Sequence, residues 1–208
     1  MKKTALFFIL FSGILTACGC RPAPPTQEWC EWALWQIPDN KPLSKVDSTA
    51  FSSDFYCLLK EVGRLSTWEY ETYDFKPEGA DCLYYWYDGM EGSIFDGGRA
   101  TLSFTFTPVS RLAGEVTVTI DHPDYLYLDG THISQHKISV IFEDDAWRIN
   151  DWNTRKWREL AEALVFYQQF YGDRVIINSQ AKAILDSYLE KNPLPEYQDY
   201  QITNVTNQ

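Results

Sequence analysis

The chain has 208 residues, 16% of them aromatic, and a formal charge of −11 at pH 7. That length favours a single domain, large enough to close a sizeable core. The negative balance argues against a surface built for nucleic acid or anionic lipid headgroups, which attract positive charge, and it suits plain solvation or a basic partner.

Lys2 and Lys3 precede an apolar run from Ala5 to Leu15 that only Ser12 and Gly13 interrupt. The run is shorter than the roughly 20 apolar residues needed to span a bilayer. Its length and flanks are those of a secretory signal. Thr16 and Ala17 are small, and Cys18 follows them. Leu15-Thr16-Ala17-Cys18 resembles the lipobox of bacterial lipoproteins. The resemblance implies that residues 1–17 are a signal peptide, that the Cys18 thiol takes a diacylglyceryl group, and that Cys18 becomes the first residue of the mature chain. Membrane lipid would then be a partner through the acyl chains on Cys18, palmitate among them. The protein would sit in the bacterial cell envelope, facing the periplasm or at the outer membrane. Gly19, where an aspartate would hold some lipoproteins at the inner membrane, leans outward. Two other readings compete: half of a zinc site at Cys18 and Cys20, for which no partner pair follows at ligand spacing, and an ordinary signal peptide with a chance cysteine.

Loss of residues 1–17 lowers Lys+Arg from 18 to 16 against 29 acidic residues, so the charge moves from −11 to −13. Residues 18–27 read as the lipidated cysteine and a tether. Pro22, Pro24 and Pro25 make it an extended spacer that lifts the body off the lipid.

Residues 28–152 carry the patterns of an α+β domain. Glu28 to Ile37 reads as a short helix or an aromatic arm, because Trp29, Trp32 and Trp35 drift around a helix rather than mark one face. Phe51, Phe55, Leu58, Leu59, Val62 and Leu65 follow helical spacing and predict a helix from Ser48 to Leu65, capped by Asp47 or Ser48. Ser66 to Gly98 is left as irregular, with a short strand at Leu83 to Tyr87. Four alternating segments follow, around Leu102–Phe106, Val116–Ile120, Ile138–Phe142 and Trp147–Ile149. Period-two alternation means strands buried on one face, and the short links between them predict a four-stranded antiparallel meander. Helical spacing returns at Trp157–Tyr171 and Ala181–Tyr188. Residues 153–192 are thus a helical extension, and 193–208 a polar tail.

A helix, an irregular stretch and then a curved antiparallel sheet closed by "WRINDW", Trp147 to Trp152, resembles the nuclear-transport-factor-2-like domains, the cystatin-like cone superfamily, of secreted and lipid-anchored proteins. The resemblance covers Val46 to Trp152 and implies a cone whose mouth the helical extension would meet. That superfamily includes an isomerase, dehydratases and many domains without a known reaction, so fold leaves activity open.

With Cys18 lipidated, Cys20, Cys30, Cys57 and Cys82 remain. A disulfide between Cys57 and Cys82 is the preferred pairing, since both lie inside the folded region; free buried thiols are the alternative. The aromatic patch Tyr84, Tyr85, Trp86 and Tyr87 is the best binding candidate, with ordinary core packing as its rival. His122, His132 and His136 with Asp121, Asp124 and Asp129 lack convergent metal-ligand spacing. Asp88, Glu91 and Asp96 sit in a glycine-rich loop without the ligand order of a calcium hand. Isomerase-like chemistry would need a carboxylate and a tyrosine together, for which Asp151, Tyr56 and Tyr85 are the right types, although Asp151 reads better as a cap on a strand end or the following helix. No cofactor signature is present. The favoured role is a lipid-anchored module that binds a small molecule, a glycan or an envelope protein. The alternatives are an inhibitor or immunity protein with an acidic face, and a small isomerase- or dehydratase-like enzyme.

Overall fold

The computed structural model describes residues 21–37, 43–72, 101–123, 130–153 and 156–194. Helices α1 (Gln27–Gln36) and α2 (Ser53–Thr72) come first, with short 3-10 turns at Leu43–Lys45 and Ser48–Ala50 between them. Strands β1 (Thr101–Pro108), β2 (Ala113–Asp121), β3 (Ile133–Glu143) and β4 (Ala146–Trp152) follow. Helices α3 (Lys156–Tyr171) and α4 (Ser179–Lys191) complete the order. The fold is α+β, as the alternating and helical patterns predict. The four strands form one antiparallel sheet in the order β1-β2-β3-β4. Among the described residues no helix is long and apolar enough to cross a membrane.

The register follows the alternation. Phe104 lies opposite Val118, Val116 opposite Ile138 and Val140 opposite Ile149, so one face collects the apolar side chains. A bulge at Ser139/Val140 shifts the β3–β4 pairing. Asp144 and Asp145 both adopt positive φ, 50° and 59°, the pair of angles that a tight two-residue hairpin demands. Phe55, Leu58, Leu59, Val62 and Leu65 of α2 join the sheet's inner face in the core, and all five are buried. Each such side chain contributes about 1.5–3 kcal/mol by leaving water. Buried residues of α3 (Leu160, Leu164) and α4 (Ala181, Leu185) belong to the same core cluster, so the C-terminal helical extension packs into the core of the sheet and α2.

Two helix boundaries differ from the sequence expectation, each for a visible reason. Helix α2 starts at Ser53, not Ser48, because the preceding backbone is used by the sheet. Phe51 forms a parallel bridge with Ile149 and the Ser52 N–H donates to the Ile149 carbonyl at 2.8 Å. Asp47 instead caps the 3-10 turn, accepting from the Thr49 N–H at 2.9 Å. The helix also runs past Leu65 to Thr72. There the Glu69 carboxylate accepts from the hydroxyls of Tyr167 (2.9 Å) and Tyr171, and Trp68 meets Tyr171 edge-on at 5.1 Å. The first stretch is a true helix. Thr26 accepts from the Trp29 N–H at its start, and Cys30, Ala33, Leu34 and Ile37 face the core while Trp35 is exposed.

Residues 21–25 do not stand off as a free spacer. The Trp147 indole N–H donates to the Ala23 carbonyl at 2.7 Å, and the Arg21 guanidinium donates to the Ser110 carbonyl at 2.5 Å. Trp147 is itself held edge-on by Phe106 and Phe142, with centroids at 5.1 and 5.4 Å. The proline stretch is therefore fastened at the end of the sheet where β1 turns into β2 and β3 into β4.

Candidate functional site

One hollow among the described residues lies along α2. It has a volume of about 780 Å³, and its wall includes Tyr56, Cys57, Lys60, Glu61, Arg64 and Trp68 of α2, Leu43 before it, and Asn178 and Ala181 at the start of α4. Helical spacing explains the lining: Phe55, Leu58, Leu59 and Val62 turn to the core, which leaves Tyr56, Lys60, Arg64 and Trp68 on another face.

Glu61 is the buried polar centre of this wall. It accepts from Arg64 through both Nε (2.9 Å) and a terminal nitrogen (2.6 Å), and from the Asn178 N–H at 2.7 Å. Arg64 also donates to the Ile176 carbonyl at 2.7 Å. Burial pushes the Glu61 carboxyl up, but the Arg64 guanidinium and the Asn178 N–H outweigh it and leave the group below its ordinary value. A paired carboxylate of this kind fastens the link between α3 and α4 onto α2, and is a poor proton acceptor. The Cys57 thiol is pushed up by burial and by the charges of Asp54 and Glu61, with Lys60 opposing, and burial raises Cys30 to about 11. Neither thiol is a ready nucleophile at neutral pH. The hollow thus combines the aromatic surface of Tyr56 and Trp68 with one ion pair, Glu61 with Arg64.

A second hollow, of about 470 Å³, lies between the end of β4, the start of α2 and the last turns of α4. Asp54, Asn150, Asp151, Trp157, Tyr188 and Lys191 are in its wall. Asp151 Oδ1 accepts from the backbone N–H groups of Trp152 and Lys156, both at 2.9 Å, and of Trp157 at 3.4 Å. It is the N-terminal cap of α3, as its place in the sequence suggests. Burial raises its carboxyl to about 6 in spite of those three donors, and Glu159 adds to the rise. Trp157 stacks on Tyr188 at 5.5 Å and 19°, and its indole N–H donates to the Asn150 carbonyl. The Tyr188 phenol is raised by burial and by the Asp151 charge.

The residues singled out in the sequence scatter. Cys18, Cys82 and the aromatic patch Tyr84, Tyr85, Trp86 and Tyr87 lie outside the described residues, as do residues 1–17, Asp88, Glu91, Asp96, Asp124 and Asp129. Cys57 is half-buried on α2 and, like Cys30, is a free thiol. Tyr56 and Asp151 line different hollows. His122 and His132 meet through backbone, the His122 N–H donating to the His132 carbonyl at 2.8 Å. Among the described residues no group of His, Cys, Asp and Glu converges to hold a metal. Sequence reasoning missed Glu61, Arg64 and Trp68. Their signal was present as polar and aromatic residues at helical spacing along the flank of the apolar stripe of α2.

No family model matches the chain, and neither the curated proteins nor the solved structures include a match.

Proposed function

We propose that this is a lipid-anchored protein of the bacterial envelope whose body is a non-catalytic binding module, of the nuclear-transport-factor-2-like kind, for a small molecule, a glycan or another envelope protein. The observation that supports the binding role is the hollow along α2, where Tyr56 and Trp68 offer aromatic surface and the Glu61 carboxylate is paired with Arg64. The support for the anchor is the sequence from Lys2 to Cys18. Two acyl chains, at about 0.8 kcal/mol per buried methylene, would hold the body at a membrane without help from its fold.

The test is a thermal-shift screen of small amphipathic molecules and oligosaccharides against the mature chain, repeated on Trp68→Ala. A ligand at 100 times its Kd stabilises by about 2.7 kcal/mol, which such a screen detects. Hits that lose their shift in Trp68→Ala support the reading. Hits that keep it in full would move the site elsewhere, and a screen with no hit removes this ligand class. Mass spectrometry of the protein from its native membrane checks the anchor separately.

Asp151 favours a second reading. A carboxyl near 6 beside a tyrosine has the proton affinity of a general base at neutral pH, as an isomerase- or dehydratase-like enzyme needs. Its Oδ1 is committed to three backbone donors, which is the work of a cap. Turnover of a carbonyl substrate that disappears in Asp151→Asn, with folding retained, would favour the enzyme.

A further inference from the structure

We propose that the end of the sheet carrying the β1–β2 loop, Val109–Leu112, is seated on the lipid surface, so that the protein touches its membrane through the fold as well as through the acyl chains. This rests on the anchor at Cys18 proposed above.

Chain length carries the first part of the argument. Arg21 is fixed to the Ser110 carbonyl, and Ala23 to the Trp147 indole. Cys18 is three residues before Arg21, and three residues reach at most about 11 Å even when fully extended. The Cys18 backbone is therefore held within that length of the Arg21 backbone, and the Arg21 side chain spans the remaining distance to Ser110. The tether sets which end of the body faces the bilayer.

The surface at that end fits the assignment. Val109 is 75% exposed and Leu112 47%, two of the seven large apolar side chains exposed among the described residues. They flank Ser110 and Arg111 on one loop. The loop is closed rather than slack: the Val109 and Ser110 N–H groups both donate to the Ala113 carbonyl at 3.0 Å, and the Phe142 N–H to the Leu112 carbonyl at 2.7 Å. Two apolar side chains held outward by a closed loop, beside an arginine whose long stem can lie along the headgroups, make a shallow interfacial contact.

Charge defines the lipid. Asp144 and Asp145 of the β3–β4 turn share a concave surface with Pro22, Arg111 and Leu112. With Arg21 on Ser110 counted, two carboxylates stand beside two arginines, so this end carries no positive excess to draw an anionic leaflet. The contact is apolar and seats best on zwitterionic headgroups, and it tolerates salt, unlike a polybasic patch.

Hydrogen exchange tests this on the lipidated protein in phosphatidylcholine nanodiscs, compared with the same chain beginning at Gly19 in buffer. Mass spectrometry of the nanodisc sample first reads the state of Cys18. With Cys18 acylated, amides of residues 109–112 should exchange at least about threefold more slowly on the bilayer, while residues 130–133 at the opposite end keep their rates. The double variant Val109→Ser/Leu112→Ser changes only exposed side chains, so it should fold and remain anchored yet lose that protection. Equal rates at 109–112 on and off an acylated bilayer would overturn the seating while leaving the anchor intact. So would protection that appears only when phosphatidylglycerol is added. An unmodified Cys18 thiol overturns the anchor and the seating together.

Discussion

Asp151 and Glu61 are two part-buried carboxylates that respond to pH in opposite senses, and the difference lies in their partners. Asp151 is raised to about 6 from 3.8. The stability that its neutral form contributes is fully present below 3.8 and is lost as pH rises through about 6. At 1.36 kcal/mol per pH unit this amounts to at most about 3 kcal/mol, and partial exposure screens it to on the order of 1–2. Asp151→Asn keeps an oxygen for the three backbone donors and removes the charge. Its melting temperature at pH 7.5 should equal or exceed that of the wild type by about 2–6 °C, and the gap should fall to about half at pH 5 and close below about pH 4. Asp151→Ala also removes the cap, so it should cost about 1–2 kcal/mol near pH 4 and less at pH 7.5, where loss of the buried charge offsets it. Glu61 is lowered below 4.5, so its contribution is present above that value and is lost as pH falls through its folded pKa. Glu61→Gln keeps an acceptor for the Asn178 N–H but ends the ion pair with Arg64, which is half exposed, and urea unfolding at pH 7 should show a loss of about 1–2 kcal/mol. The cap was legible in the sequence because Asp151 stands between a strand pattern and a helix pattern. Glu61 was not, because its partner Asn178 lies 117 residues away and sequence spacing carries no such information.

At the scale of elements, the sheet was the most legible part and the helix ends the least. Alternation from Leu102 to Ile149 names each strand's buried face directly, and the short links allow little but a meander. Helix α2 began late because Phe51 and Ser52 are engaged with Ile149, and it ended late because Glu69 is clasped by Tyr167 and Tyr171. Both causes are tertiary and lie outside any local window. In α1 the three tryptophans masked the better pattern at Cys30, Ala33, Leu34 and Ile37. One strand position is unusually tight: a Cβ on Gly114 would lie 2.2 Å from the Phe106 ring and 3.0 Å from the Thr107 carbonyl oxygen. Gly114→Ala should therefore displace Phe106, loosen Trp147, and cost about 1–3 kcal/mol. A tryptophan emission shift together with lower thermal stability would record both effects. Unchanged stability would mean that the ring moves aside freely.

Over the whole molecule, α3 and α4 share one core with α2 and the sheet, so they should not melt separately. Ala181 and Leu185 are buried, and the Glu61 bridge reaches the residues that lead into α4. A chain ending at Asp173 would expose that side of α2. It should unfold or aggregate rather than survive as a smaller domain, and calorimetry of the mature chain should give one transition. A clean second transition belonging to the C-terminal helices would show them to be independent. The sequence pattern marked these helices as an extension after the last strand, but periodicity identifies an apolar stripe without saying what covers it. The hollow along α2 was hidden for the same reason: it exists only once α4 arrives beside residues that come more than a hundred positions earlier.

The bond between Ala23 and Trp147 joins positions 124 apart in the chain, and that separation imposes an order of events. Trp147 lies in the last strand, so the segment after Cys18 has nothing to dock on until nearly three-quarters of the polypeptide has emerged. On the anchor proposed above, the leader junction would stay open during export to whatever enzymes modify and cut it. Once β4 is in place, the same residues are drawn in against the indole and their reach contracts. Late closure of this kind would let maturation finish before the body takes up its final posture.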